Sequence, residues 1–143
     1  MKPHFKTVGE IIITNKLSAA ENASAYAVAV RLLEANFQGL PVLDCSGNVV
    51  GKVTEIDLLK ALKDDRDLRT IRVKDIMALA PPVVSNDTSL ERAVEIMDSH
   101  HLIRLPVMKG SRFIGSVTRH DLLRAWLGIW MDDERGSYAQ VIG

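Results

Sequence analysis

One nine-residue pattern occurs twice in this chain and constrains its fold more than any other feature. Residues 51–59 read GKVTEIDLL and residues 115–123 read GSVTRHDLL, so six of nine positions are identical at a spacing of 64 residues. A repeat at this spacing in a chain of 143 residues indicates that the chain contains two copies of one structural unit. We therefore expect two related units, each with a Thr-x-x-Asp set at the start of a helix.

The similarity extends outward from this pattern. Residues 39–43 (GLPVL) match residues 104–108 (RLPVM), and residues 8–12 (VGEII) match residues 73–77 (VKDIM), both at an offset of 65. The offset falls to 64 because the second hairpin loop is one residue shorter, a change that surface loops tolerate. The repeat predicts domains at residues 7–69 and 72–131, followed by a C-terminal tail at 132–143.

Each copy is predicted to be an α/β unit with the order β-α-β-β-α. In the second copy, Thr88-x-x-Glu91 is interpreted as the capping box of the first helix. The remaining elements of this copy are predicted at Val83–Val84, Leu105–Met108, Phe113–Thr118 and, for the last helix, from Thr118 through Trp126.

The first copy follows the same plan less clearly. Ser18 and Ala19 replace the two valines of the second copy, which is a poor strand composition. Ser18-x-x-Glu21 would be a capping box, but the repeat alignment places the helix start nearer Asn22. The clearer elements are a helix through Ala29 and Leu33 and strands at Leu40–Leu43 and Val49–Thr54. Each unit is too small to bury its strands well alone, so we expect the two to pack about a pseudo-twofold axis.

Composition excludes several classes of protein. Hydrophobic residues make up 47% and charged residues 25%, as in a soluble globular protein. A formal net charge of zero lacks the electrostatic signature of a nucleic-acid binder. The chain has no apolar run long enough for a signal peptide or a membrane span, so a cytoplasmic protein with no membrane partner is expected. The single cysteine, Cys45, lies in a turn-like run and excludes an intrachain disulfide.

The motifs give no indication of an enzyme. The chain contains no nucleophile elbow, P-loop or dinucleotide fingerprint. His100 and His101 are interpreted as residues at a helix end, because no Cys, His or Asp stands beside them at metal-ligand spacing. We therefore predict neither a catalytic residue nor a metal site.

The two Thr-x-x-Asp sets, Thr54 with Asp57 and Thr118 with Asp121, have two interpretations. Structurally, a Thr N-cap with a carboxylate three residues later is a variant of the capping box. Functionally, a helix N-terminus favours a phosphate, the hydroxyl adds a hydrogen bond, and the carboxylate can accept both hydroxyls of a ribose. Duplication copies caps as well as sites, so the recurrence does not choose between them.

The combined pattern resembles a tandem pair of CBS domains, known as a Bateman module, over about residues 7 to 130. The resemblance implies a regulatory module that binds AMP, ADP, ATP or S-adenosylmethionine in the clefts between its two units. It implies ribose contacts at Asp57 and Asp121 and hydroxyl contacts at Thr54 and Thr118. It also implies a base pocket lined by Leu40, Pro41, Leu105 and Pro106. No cofactor is expected beyond this regulatory ligand.

The resemblance further implies a disc-like homodimer. Because the chain has no effector domain, its signal is expected to pass through the oligomer or through an unidentified effector protein. The alternative function is a structural dimerisation or interaction module, in which the Thr-x-x-Asp sets are caps and no ligand binds.

The two copies differ at the second position of Thr-x-x-Asp, which is Glu55 in the first and Arg119 in the second. Arginine can pair with a phosphate, whereas glutamate repels it. We therefore predict that the Thr118, Arg119 and Asp121 set is the stronger phosphate site, with His120 as a further candidate for contact.

Both tryptophans, Trp126 and Trp130, lie beyond the second motif and are predicted to stand one helical turn apart. They either cover the core or form a dimer contact, since exposed aromatic patches mark interfaces. The tail at 132–143 is mixed in character and is expected to be ordered by a partner.

Overall fold

The structure of the chain, a computed structural model, describes residues 1–132 and 137–139, with side chains described as far as residue 129. Within these residues it is a mixed α+β fold. The helices are α1 (Ala25–Ala35), α2 (Glu55–Lys63), α3 (Leu90–Ser99) and α4 (Arg119–Leu127). The strands are β1 (Ala19–Ala20), β2 (Gly39–Leu43), β3 (Val49–Thr54), β4 (Ala78–Leu79), β5 (Val84–Ser85), β6 (Arg104–Lys109), β7 (Arg112–Thr118), β8 (Trp130–Asp132) and β9 (Ser137–Ala139).

The strands form one sheet for each copy of the repeat and a terminal hairpin. The first sheet has the order β1-β2-β3-β4, in which β1 pairs parallel to β2 and the other pairs are antiparallel. The second sheet has the order β5-β6-β7, with β5 parallel to β6. Strands β8 and β9 pair antiparallel. The predicted order β-α-β-β-α is therefore confirmed in both copies.

The chain divides into two compact units that differ from the sequence repeats. The first-motif unit comprises residues 16–81 and 111–113, and the second-motif unit comprises residues 1–15, 82–110 and the chain from Ile114 onward. The N-terminal residues of the first copy therefore lie in the unit that carries the second motif. Likewise, residues 72–81 of the second copy lie in the unit that carries the first motif.

This exchange follows from two equivalent sets of backbone hydrogen bonds. In the second-motif unit, Val8 N–H donates to Thr88 O at 2.9 Å. In the first-motif unit, Val73 N–H donates to Ala23 O at 2.9 Å. Both valines are fully buried and begin a short 3₁₀ turn. Residues 8–15 and 73–80, the lead-in segments of the two copies, therefore each complete the core of the unit built mainly from the other copy.

Each unit has its own hydrophobic core of Val, Leu, Ile, Ala and Met. In the second-motif unit the buried residues are Val8, Ile11, Val84, Leu90, Ala93, Met97, Leu105, Val107, Val117, Leu122 and Ala125. In the first-motif unit they are Ala19, Ala25, Val28, Leu32, Leu40, Val42, Val53, Leu58, Ala61, Leu68 and Val73. The cores contain equivalent positions of the repeat, such as Leu32 and Met97, so the duplication is preserved in the packing.

Two predicted helix starts were wrong. Helix α3 is capped by Ser89, whose hydroxyl accepts from Arg92 N–H at 3.1 Å, while the Thr88 hydroxyl accepts from Ser85 N–H in the preceding turn. Helix α1 begins after Ser24 and not near Asn22. Residues 20–23 form a turn closed by Ala23 N–H donating to Ala20 O at 3.0 Å, which delays the helix.

The prediction for Trp130 was also wrong. Helix α4 ends at Gly128, which adopts the left-handed conformation with φ 69°. Glycine terminates helices in this way because it has no Cβ to clash. Trp130 therefore lies on β8 and not one turn beyond Trp126, and its side chain lies outside the described residues, as does much of the predicted tail.

Candidate functional site

Each Thr-x-x-Asp set forms a capping box where a strand becomes a helix. In the first, at the junction of β3 and α2, Thr54 N–H donates to Asp57 Oδ2 at 2.9 Å and the Thr54 hydroxyl is also 2.9 Å from that oxygen. Asp57 N–H donates back to Thr54 Oγ1 at 3.4 Å. Within the described residues, the second carboxylate oxygen of Asp57, Oδ1, accepts no hydrogen bond. It is therefore available to a ligand hydroxyl.

The second set, at the junction of β7 and α4, differs in how its carboxylate is used. Thr118 N–H donates to Asp121 Oδ2 at 2.9 Å, and Asp121 N–H donates to Thr118 Oγ1 at 3.0 Å. The other oxygen, Oδ1, accepts from Arg124 Nη2 at 3.1 Å. Both side chains of this ion pair are about three-quarters buried, with 25% and 24% exposure. Both motifs therefore have the same helix cap, but among the described residues the second carboxylate oxygen is occupied, by Arg124, in the second motif only.

The helix amides offer less to an anion than a bare helix N-terminus would. The first amide of α2, Glu55 N–H, donates to Gln38 O at 2.9 Å, and that of α4, Arg119 N–H, donates to Ile103 O at 3.1 Å. The third amide of each helix donates to the threonine hydroxyl. Since these donors are satisfied, binding of a phosphate here would depend mainly on side chains.

The residues predicted to line a base pocket point to two faces of their strands. Leu40 and Leu105 are buried in the two cores, at 2% and 0% exposure. Side chains alternate between the faces of a strand, so the neighbouring Pro41 and Pro106 lie on the opposite face. Pro41 is buried and Pro106 is partly exposed. We therefore keep the two prolines as candidates for contact with a base and assign the leucines to the cores.

Arg104 is a charged residue near the second motif that the sequence interpretation missed. It is partly buried at the start of β6. Burial lowers the pKa of the Arg104 guanidinium, and the negative charge of Asp121 opposes this shift. The equivalent position in the first copy is Gly39, where an added Cβ would lie 3.0 Å from Val53 O and 3.1 Å from the Thr54 methyl group. The change from glycine to arginine between aligned positions was the available signal.

Arg119 and Asp121 lie on different faces of α4. Successive helical positions are about 100° apart, so these two side chains point about 200° apart around the axis. Arg119 is exposed and lines a groove between α3 and α4. His120 is exposed as well. The structure therefore brings Thr118, Asp121, Arg124 and Arg104 together and directs Arg119 towards α3.

The groove between α3 and α4 in the second-motif unit has a volume of about 730 Å³. Trp126 forms part of its wall, packs against the core and donates from Nε1 to Met1 O at 3.2 Å. This tryptophan thus covers the core and also presents a surface to the groove. The remaining lining residues are Val94, Met97, Asp98, His101, Leu102, Ile103, Arg119, Leu122 and Leu123.

The other candidates from the sequence have local roles. His100 closes α3, with Nδ1 lying 3.1 Å from Ile96 O and 3.1 Å from Ser99 Oγ. Cys45 is exposed and unpaired with any cysteine. In the part of the chain that the structure describes, no group of His, Cys, Asp and Glu side chains could hold a metal ion. No helix among those residues is long and apolar enough to cross a membrane.

Comparison with known proteins places this geometry in a family. The model of the CBS domain matches residues 8–64 and again residues 73–128. The chain is 34% identical over 100 residues to the uncharacterized protein YlbB of Bacillus subtilis, covering 69% of this chain and 68% of that protein. It is 30% identical over 121 residues to inosine-5'-monophosphate dehydrogenase of Methanocaldococcus jannaschii, covering 83% of this chain but only 23% of the enzyme.

Solved structures of similar fold include complexes with adenosine compounds. CBSX2, crystallised in complex with AMP, is 31% identical, with a TM-score of 0.73 and coverage of 87% of this chain and 98% of that one. The CBS domain pair of protein MJ0100, in complex with 5'-methylthioadenosine and S-adenosylmethionine, is 26% identical, with a TM-score of 0.69 and coverage of 85% and 96%.

Proposed function

Because the chain belongs to the CBS domain family and carries the domain twice in tandem, we propose that it is a regulatory module whose ligand is an adenine nucleotide or S-adenosylmethionine. The observation that carries this proposal is the Asp57 carboxylate. Its Oδ2 is fixed by the cap at 2.9 Å, while Oδ1 accepts no hydrogen bond from the described residues. A positioned carboxylate with a free oxygen suits a ribose hydroxyl. The AMP complex of CBSX2 supports the choice of ligand class.

We assign the two motifs unequal strength as phosphate sites. The second motif carries Arg119 where the first carries Glu55, and Arg104 where the first carries Gly39. Arg104 lies close enough to Asp121 for the two charges to interact. Positive charge favours a phosphate and a glutamate opposes it. Since Arg119 is directed towards α3, the stronger phosphate site in this proposal consists of Thr118 and Asp121 together with Arg104, and Arg119 contributes only its positive charge at the edge of the motif.

A structural module without a ligand is the second candidate function. Its specific support is that the capping boxes use both side chains of each Thr-x-x-Asp set. Capping alone would explain why these residues occur at these positions. Under this function no adenosine compound binds, and each Thr-x-x-Asp set contributes only to the stability of its helix.

We also propose that the chain forms a homodimer through its helical faces. Leu59 on α2 and Leu123 on α4 occupy equivalent positions of the repeat and are 57% and 60% exposed. Neighbouring exposed residues on these helices are Ile56, Leu62 and Leu127. A contact between such helices in a symmetric dimer would remove these apolar side chains from water. Sedimentation of Leu123→Glu should show loss of dimer, whereas Ile12→Glu, an exposed site outside the helices, should sediment as wild type. A monomeric wild type would refute this proposal.

A thermal-shift panel with AMP, ADP, ATP and S-adenosylmethionine separates the two functions. A ligand present at 100 times its Kd stabilises the native state by about 2.7 kcal/mol, which corresponds to roughly 8 °C in a chain of this size. Ser89→Ala removes a helix cap outside both motifs and should lose stability while keeping the full ligand shift. A panel that produces no shift with any compound would favour the structural module.

Titration of AMP against Asp57→Ala and Asp121→Ala tests the inequality of the motifs. We expect the greater loss of AMP affinity from Asp121→Ala. Equal losses, or a greater loss from Asp57→Ala, would reject the assignment of the stronger phosphate site.

A further inference from the structure

The Asp121–Arg124 ion pair is the clearest chemical difference between the two motifs. Arg124 Nη2 lies 3.1 Å from Asp121 Oδ1, and both side chains are about three-quarters shielded from water. The pair joins residues three apart on α4, the spacing at which side chains of a helix meet. It therefore occupies the carboxylate oxygen that is left over by the cap.

The first motif has no such pair. The residue equivalent to Arg124 is Lys60, which is exposed and makes no ion pair within the described residues. Asp57 Oδ1 consequently keeps its capacity to accept a hydrogen bond. Lysine also lacks the planar fork that allows arginine to hold a carboxylate in a fixed geometry. The two Asp residues thus have the same cap but different electrostatic surroundings.

An ion-paired carboxylate is a weaker acceptor for a neutral hydroxyl than a free one. A ribose hydroxyl that binds Asp121 Oδ1 must compete with Arg124 for that oxygen and weakens the ion pair. An uncharged nucleoside brings no negative group that could offset this loss. An anionic nucleotide brings a negative group that is attracted to the positive charge of Arg104 and Arg124.

We infer that Arg124 makes the second motif selective for anionic adenine nucleotides over uncharged adenosine compounds, a selectivity that the first motif lacks. This inference rests on the proposed function, because it assumes that adenosine compounds bind at both motifs. Arg124 is then the residue that determines which class of adenosine compound the second motif binds. The two related sites of one chain therefore differ in their preference for charged ligands.

The test measures AMP and adenosine affinities by calorimetry, one motif at a time. In an Asp57→Ala background, where only the second motif remains, AMP should bind at least about tenfold more tightly than adenosine. Arg124→Lys, which copies the residue of the first motif, should reduce this ratio to about threefold or less, mainly by strengthening adenosine binding. Arg124→Gln, which removes the charge, should do the same.

The reciprocal exchange serves as a matched control against simple loss of structure. In an Asp121→Ala background the first motif should bind AMP and adenosine within about threefold of each other, and Lys60→Arg should widen the ratio towards tenfold. A ratio that is unchanged in Arg124→Lys and Arg124→Gln, with AMP still bound, overturns the inference alone. A wild type that binds neither AMP nor adenosine also overturns the inference, and one that binds none of ADP, ATP and S-adenosylmethionine either overturns the proposed function together with it.

Discussion

The glycine that opens each repeated motif can be tested by adding a single methyl group. A Cβ at Gly115 would lie 2.4 Å from the Ile13 methyl Cγ2 and 2.7 Å from Asn15 O. A Cβ at Gly51 would lie 2.4 Å from Met77 Sδ and 2.9 Å from Ala78 O. Both glycines are therefore crossed closely by a lead-in segment. Only Gly115 also has a φ of +134°, in the region that favours glycine.

These contacts set the expected loss of stability. Crowding by one added methyl group costs about 1–3 kcal/mol, and a positive φ costs an alanine about 1–2 kcal/mol. Gly51→Ala, which adds crowding alone, should lose about 2 kcal/mol. Gly47→Ala isolates the backbone term, because its φ is +86° and nothing lies within 4 Å of the added Cβ, and should lose about 1 kcal/mol. Gly115→Ala combines both terms and should lose about 3 kcal/mol.

Urea unfolding followed by circular dichroism measures all three variants, and the midpoint at unchanged m-value reports the free energy of unfolding. The predicted order of loss is Gly115→Ala, then Gly51→Ala, then Gly47→Ala. If Gly115→Ala were no more destabilised than Gly47→Ala, the segment at Ile13 to Asn15 would not cross β7 as described, and the steric reason for the repeated glycine would fail.

Two further predictions concern the lead-in exchange and a surface turn. Val8→Ala should destabilise the protein by about 2 kcal/mol. Because Val8 is buried in the second-motif unit, amide hydrogen exchange should accelerate in residues 82–110. Acceleration confined to residues 16–81 would contradict the docking of Val8 in the second-motif unit. Asp44 accepts from Asn48 N–H and Ser46 N–H at 2.9 Å each, and the hydrogen bond from the Asn48 backbone lowers the pKa of its carboxyl group. The charge therefore stabilises the fold above the ordinary carboxyl pKa of 3.8, and this contribution is lost as pH falls through the lowered value. Asp44→Asn should melt below wild type at neutral pH and match it in strong acid; an equal difference at both would contradict this sign.

Much of the fold followed from the repeat. The hairpins at β2–β3 and β6–β7, the capping boxes at Thr54 and Thr118, and the similarity to a tandem CBS pair were predicted and are confirmed. Each of these features depends on a local residue pattern that occurs in both copies of the repeat. The helix start at Ser89 was missed because Thr88 and Ser89 are both good N-caps, and the Thr88 hydroxyl is used by the preceding turn at Ser85.

Other features could not be obtained from local patterns. Residues 8–12 and 73–77 have similar sequences, so the sequence alone does not indicate which of the two units each segment joins. The direction of Leu40 and Leu105 could have been inferred from strand alternation, but their place in the family motif favoured a ligand contact. The Arg124–Asp121 pair was not anticipated because every helix carries charges at this spacing, and their pairing depends on side-chain geometry.

The most direct test of the central claim is calorimetric titration of AMP into wild type and into the Asp57→Ala/Asp121→Ala double variant. We expect saturable binding of AMP to wild type, and no binding to a double variant that still unfolds cooperatively. Binding that persists in the double variant, or a wild type that binds none of AMP, ADP, ATP and S-adenosylmethionine, would contradict the assignment of the two carboxylates as ligand sites.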